Sequence, residues 1–335
     1  MGLRRYLANK TVWYLGALLV AVVLNFLLPR VIPGNPVDVI VSRMGQGGQS
    51  SEAQARVYEQ FMREFGLDQP LWSQFVTYVT SAFQGNLGAS FSFYPTPVAE
   101  LIAQSLPYTL VLQLPAIILG WIIGNVLGAV AAYKGGSWDK SVFTTSLLFS
   151  SMPYYCLSII LLYTLAVVLG WFPPGGAYSL GMSPEWSWEF FSDALQFWWL
   201  PFISLLVINI GGQAVGMRSM AIYELGSDYV NYSRSLGIGD RKMTTYIFNN
   251  AMLPQITGLA LSIGTMVGGA LITELVFSYP GMGSLLFNAI ASNDYPVVQA
   301  VTLIITVAVL VANYAVEILY GFIDPRIRAS KSGEK

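Results

Sequence analysis

Six long, almost purely apolar runs alternate along the chain with segments in which polar and charged residues concentrate. The runs cover Val12 to Leu28, Tyr108 to Tyr133, Val142 to Gly170, Trp199 to Met217, Gln255 to Phe277 and Val297 to Tyr320. At ~1.5 Å of rise per residue, each is long enough as a helix to cross, or nearly cross, a hydrocarbon layer of about 30 Å. The pattern predicts an all-α, polytopic membrane protein with six transmembrane helices. Its organisation follows: a terminal segment with the first helix over 1–28, a cap over 29–107, a core of five helices over 108–320 containing a polar loop at 218–254, and a tail at 321–335.

The connections carry pattern of their own. In the first, EAQARVYEQFMREFGLDQPLWSQFVTYV places Val57, Phe61 and Phe65, then Phe75 and Tyr78, at helical spacing around a Gly-Leu-Asp-Gln-Pro break, which predicts helix, break, helix. The segment Trp171 to Trp198 is rich in Trp, Phe and Pro, as an aromatic belt at a membrane interface would be. In the loop at 218–254, Ser227 and Asp228 are placed to cap a short helix from Tyr229 to Leu236, and Gly237 to end it in a left-handed conformation. Gly239 or Asp240 then starts a second helix through Asn250, and Pro254 suits the first turn of the following span. Tyr229, Ser233 and Leu236 share one face of the short helix, with Val230 and Arg234 on the next. Such a helix either lies on lipid headgroups or is offered to the groove of a soluble partner.

Composition sharpens the membrane assignment. Of 335 residues, 54% are hydrophobic and 10% charged, and the mean hydropathy is +0.56, outside the range of soluble domains. The formal net charge is only −1, but its distribution is uneven: with both termini inside, thirteen of the seventeen lysines and arginines fall on cytoplasmic segments. The first apolar run is followed by Leu-Pro-Arg-Val-Ile-Pro rather than a small-residue cleavage site, so it is expected to be a retained span.

Candidate chemistry is sparse. There is no histidine and one cysteine, Cys156, which argues against Ser-His hydrolysis, zinc sites and disulfides. The nearest approach to a phosphate-binding loop, Gly135-Gly136-Ser137-Trp138-Asp139-Lys140-Ser141, has Asp before its Lys-Ser and follows an apolar helix rather than a strand. Glu274 is the one acid well inside a predicted span, where a carboxylate must face protein or a wet cavity, or be protonated. A structural hydrogen bond near an outer gate and a role in a solute path both remain open for it. Gln113, Asn125, Asn209, Gln213, Thr265, Thr273 and Asn313 are the other polar groups at depth. Gly120, Gly124 and Gly128, and Gly264 with Gly268, recur at intervals of four and permit close helix packing.

Several motifs, in order along the chain, resemble those of the ATP-binding-cassette importer permeases, in particular the dipeptide and oligopeptide permease family. They are RVIPGNP (30–36), GLDQPL (66–71), GNLGASF (85–91), LPYTL (106–110), Asp228-Tyr229-Val230 with Arg234 and Gly237, Asn250-Ala251-Met252-Leu253-Pro254, Pro280-Gly281-Met282-Gly283, DYPVVQ (294–299) and Asp324-Pro325-Arg326-Ile327-Arg328. The resemblance implies a type I importer permease fold in a prokaryotic cytoplasmic (inner) membrane. It also implies a homologous second permease subunit, two cytoplasmic ATPase subunits holding ATP and Mg, and an extracytoplasmic solute-binding protein. This chain would be a non-catalytic subunit with no cofactor of its own and no nucleic-acid partner. Its ATPase-coupling loop would use Asp228, Tyr229, Val230, Ser233, Arg234, Leu236, Gly237, Asp240, Asn250 and Pro254. Thr265, Thr273, Glu274, Pro280 and Gly281 would belong to the path or outer gate. The implied solute is a short peptide, with β-linked oligosaccharides or another modest-sized solute as the alternative. A self-contained secondary transporter is the rival, but clear inverted repeats and midplane ionisable groups are missing.

Overall fold

The computed structural model describes residues 3–31, 37, 41, 51–266 and 270–323. Most of the RVIPGNP motif, Gly268 and the Asp324–Arg328 signature lie outside the described residues. The chain divides into two units, Met1–Pro107 with Gly281–Lys335, and Tyr108–Pro280.

In the first unit, α1 (Leu3–Val31) packs along α12 (Tyr295–Ile323). Because both helices are apolar almost all round, polar pairs fix their register. Lys10 pairs with Glu317, Thr11 and Tyr314 share a hydroxyl hydrogen bond of 2.8 Å, and Asn25 Nδ2 donates to the Gln299 carbonyl at 2.8 Å. The 29–107 segment forms α2 (Ser51–Glu64) and α3 (Leu71–Phe83). The break between them is the expected one, turned by Gly66 at φ +62. Asp294, buried at the start of α12, accepts hydrogen bonds from the Ser90 hydroxyl and from the Phe91 and Ser92 amides, at 2.5, 3.1 and 2.9 Å. It thereby anchors the 88–97 turn. The short α11 (Met282–Ala291) completes this unit.

The helix α4 (Val98–Lys134) begins in the first unit and continues in the second. It starts ten residues before the predicted span, and Pro107 lies within it rather than at its start. Close packing of α4 on α7 (Trp188–Leu225) explains the glycine stripe. A Cβ at Gly120 would lie 2.6 Å from that of Asn209, and one at Gly124 would lie 2.6 Å from that of Gln213. The expected fourth span is thus longer at both ends, with Ser187 accepting from the Phe190 amide to cap it.

Two expected spans are broken. The third comprises α5 (Gly136–Ser151) and α6 (Tyr154–Leu161), continued by a π-helical turn over Leu162–Val168, and it bends by 94°. The cause is Pro153, which disfavours helical backbone at the preceding residue; Met152 is extended, with ψ 131. The fifth comprises α9 (Asp240–Thr265) and α10 (Leu271–Val276). Among the described residues, α1, α4, α7 and α12 are long and apolar enough to cross a membrane, and the bent third pair makes five.

Candidate functional site

All but one of the residues expected in the coupling loop come together around α8 (Asp228–Ser235), the turn after it and the beginning of α9. Gly237 adopts φ +76. Its amide donates to the Arg234 carbonyl at 3.0 Å and that of Ile238 to the Ser233 carbonyl at 3.2 Å, the two bonds of a Schellman motif. Ser227 sits at the N-cap position, but its hydroxyl donates backwards to the Glu224 carbonyl at 2.6 Å and does not cap the helix as expected. Asp240 occupies the first turn of α9, where its charge complements the helix dipole.

The faces of α8 differ from the expected ones. Val230 is fully buried among Ala221, Met243 and Ile247, with Tyr229 and Ile238 at the edge of the cluster. The Tyr229 hydroxyl donates to Glu224 at 2.7 Å. Partial burial and Glu224 push that phenol above its ordinary value, against the opposing effect of a hydrogen bond with Asn250. Tyr229 and Val230 therefore fasten α8 to α7 and α9. The large hydrophobic side chains left outward, beside the exposed Asn231 and Arg234, are Tyr232, 66% exposed, and Leu236, 60% exposed. Tyr232 was not among the expected residues, although its spacing of four from Leu236 places both on one face.

Pro254 does not open a new helix. It lies inside α9, which runs unbroken for 26 residues, about 39 Å, from Asp240 to Thr265. Proline removes one ladder donor and ordinarily disrupts a helix interior. Here the helix continues past it, and close by Trp121 Nε1 of the neighbouring α4 donates to the Gln255 carbonyl at 2.8 Å. Ala251 is also packed against Met217 and Ala129.

The far end of α9 reaches a cavity of about 480 Å3 in the second unit. Gln113, Tyr154, Asn209, Ser262, Thr265 and Thr273 line it, together with apolar side chains. The two helix breaks shape its wall: Pro153 and Tyr154 from one, Thr265 and Met266 from the other. Gln113 Nε2 donates to the Met266 carbonyl at 3.0 Å, so the end of α9 is satisfied by a side chain of α4. Thr265 is exposed, whereas Thr273 is buried within hydrogen-bonding distance of Ser158. Glu274, 0% exposed, accepts from Thr109 at 2.8 Å and does not line the cavity. Pro280 and Gly281 fall on either side of the unit boundary. Gly281 is the N-cap residue of α11.

One ion pair had no sequence signal. Asp139 holds Arg218 in a bidentate pair, both contacts 2.6 Å, with the guanidinium 4.2 Å above the Phe143 ring. It joins α5 to α7, a pairing of residues 79 apart that no local period reveals.

Residues 124–329 match the family described as the binding-protein-dependent transport system inner membrane component. The chain is 35% identical over 320 residues to the di/tripeptide transport system permease protein of Pseudomonas aeruginosa, covering 91% of this chain and 93% of that protein. It is 32% identical to the oligopeptide transport system permease protein of Bacillus subtilis, over 96% and 98% of the two chains. To the glutathione transport system permease protein of Escherichia coli it is 31% identical, again over 96% and 98%. The helical membrane architecture, the ordered motifs and these full-length likenesses converge: the chain belongs to the binding-protein-dependent inner membrane transport components, as a dipeptide/oligopeptide ATP-binding-cassette permease.

Proposed function

We propose that this chain forms half of the translocation path of an ATP-driven importer of short peptides, in a bacterial inner membrane with both termini cytoplasmic and six spans. A homologous permease supplies the other half, two ATPase subunits bind ATP and Mg and push on the 218–254 loop, and an extracytoplasmic binding protein delivers the peptide. The relatives' names, di/tripeptide, oligopeptide and glutathione permeases, support the choice of solute.

The observation that carries the mechanism is the continuity of α9. Its first turns are clamped to α8 through Val230, Met243 and Ile247, and its last residue lines the cavity. Closure of the ATPases on ATP displaces the outward face of α8, Tyr232 and Leu236. Because helix and clamp move as one body, the displacement arrives at Thr265 and reshapes the cavity wall. The cavity's neutral amides and hydroxyls suit peptide backbones of any side-chain charge. Glu274, sealed with Thr109, stiffens the α4–α10 contact instead of touching the solute.

Gly237→Val tests the coupling. The left-handed backbone costs a side-chain-bearing residue about 1–2 kcal/mol, and more if β-branched, so the turn between α8 and α9 is expected to rearrange. In proteoliposomes with all subunits, ATP hydrolysis is expected to continue while peptide uptake falls at least tenfold. Uptake and hydrolysis both at wild-type levels would contradict the mechanism.

A further inference from the structure

The first unit encloses a cavity of about 700 Å3, separate from the one α9 reaches, and the import mechanism does not use it. It lies within the 300–1,000 Å3 typical of small-ligand sites. Arg30, Glu64, Gln74, Tyr78, Tyr94 and Tyr295 are among the residues around it. Arg30, at the last turn of α1, is half-buried and held rigidly. One guanidinium nitrogen donates to the Phe26 carbonyl at 2.7 Å, the other to Gln74 Oε1 at 2.9 Å, and the group lies 3.6 Å over the Phe26 ring. No carboxylate forms an ion pair with it among the described residues. Arg63, the other guanidinium of the lining, pairs instead with Glu59 at 3.5 Å in solvent. Glu64, the one carboxylate among the described residues of the lining, is fixed by the Tyr94 hydroxyl at 2.5 Å, and that bond pushes the Tyr94 phenol above its ordinary value.

A half-buried cation oriented by two neutral acceptors, with donor capacity left over and no ion pair among the described residues, is the arrangement of an anion site. The same cavity presents one fixed anion and several aromatic rings. At neutral pH a short peptide carries a carboxylate at one end, mostly an ammonium at the other, and apolar side chains between. We propose that this cavity is a peptide-binding site in which Arg30 receives the α-carboxylate and Glu64 the α-ammonium, the tyrosine rings packing on the side chains. It rests on the reading of the solute as a peptide, and on the proposed topology it faces the extracytoplasmic side, where solute is delivered. It therefore adds a holding site outside the path.

The test uses the complete transporter, full-length chains without the binding protein, in phosphatidylcholine nanodiscs, and measures binding of trialanine, trialanine amide and N-acetyl-trialanine. The wild type is expected to bind trialanine about tenfold tighter than the amide, the worth of one charge-assisted hydrogen bond. Arg30→Gln should erase that preference while Arg30→Lys keeps most of it, and Glu64→Gln should erase the preference over the acetylated peptide. Size-exclusion profiles establish that each variant is assembled. Equal affinity for acid and amide in the wild type, or a preference that survives Arg30→Gln, overturns the proposal. So does native mass spectrometry showing a phospholipid that leaves with Arg30→Gln while trialanine does not bind. ATP-driven uptake of trialanine, measured with the binding protein restored, separates the two readings. Uptake without an Arg30-dependent preference removes this site alone, and absence of uptake removes the peptide-import reading.

Discussion

The carboxylate of Glu274 is fully buried and accepts the hydroxyl proton of Thr109. A buried acceptor deprived of its donor keeps its desolvation penalty, so Thr109→Val is expected to destabilise the protein by about 1–3 kcal/mol. A lowered unfolding temperature in detergent checks this, and an unchanged one would mean that its other contacts suffice. Glu274 stood out in the sequence because acids are rare in an apolar run. Thr109 did not, since nothing local joins positions 165 residues apart. The same blindness affected Val230. Its place on a short amphipathic helix was legible, but whether that face turned to a partner or to Met243 and Ile247 depends on how α9 folds back.

At the scale of elements, composition located the long apolar helices but not the short α11, and prolines decided where other expectations failed. Pro153 was overlooked inside a run that reads as one span, yet the chain bends there by 94°. Pro254 reads as a boundary, yet α9 passes through it, with Ala251 packed against Met217 and Ala129 one turn before. Identical residue types thus gave opposite outcomes according to tertiary neighbours that a linear pattern does not contain. The glycine stripe was legible as a packing face, and the structure identifies α7 as its partner. Gly124→Val would place a Cβ 2.6 Å from Gln213 Cβ and 2.7 Å from the Ile210 carbonyl. Overpacking of this kind costs about 1–3 kcal/mol. It is expected to cut the yield of folded protein, read by fluorescence-detected size exclusion, whereas Gly16→Val, with open space around it, should not.

For the whole molecule, the membrane class and family were legible because lipid solvation imposes long apolar runs and because turn motifs recur in order; the cavities were not, since one is shaped by breaks within those runs and the other by contacts between segments far apart in the chain. The proposed topology predicts that Tyr232→Cys, in a Cys156→Ser background, reacts with an impermeant maleimide only from the cytoplasmic side, and Trp186→Cys only from the opposite side. The reverse pattern would invert the orientation. The coupling claim is tested most directly by electron spin-echo distances in the assembled transporter, with one label pair at Tyr246 and Thr265 and another at Tyr155 and Thr265. On trapping the ATP-bound state, the first distance is expected to stay constant and the second to change by several ångström, as a rigid α9 shifts the cavity wall. A change confined to the first pair, or none in the second, would contradict the account.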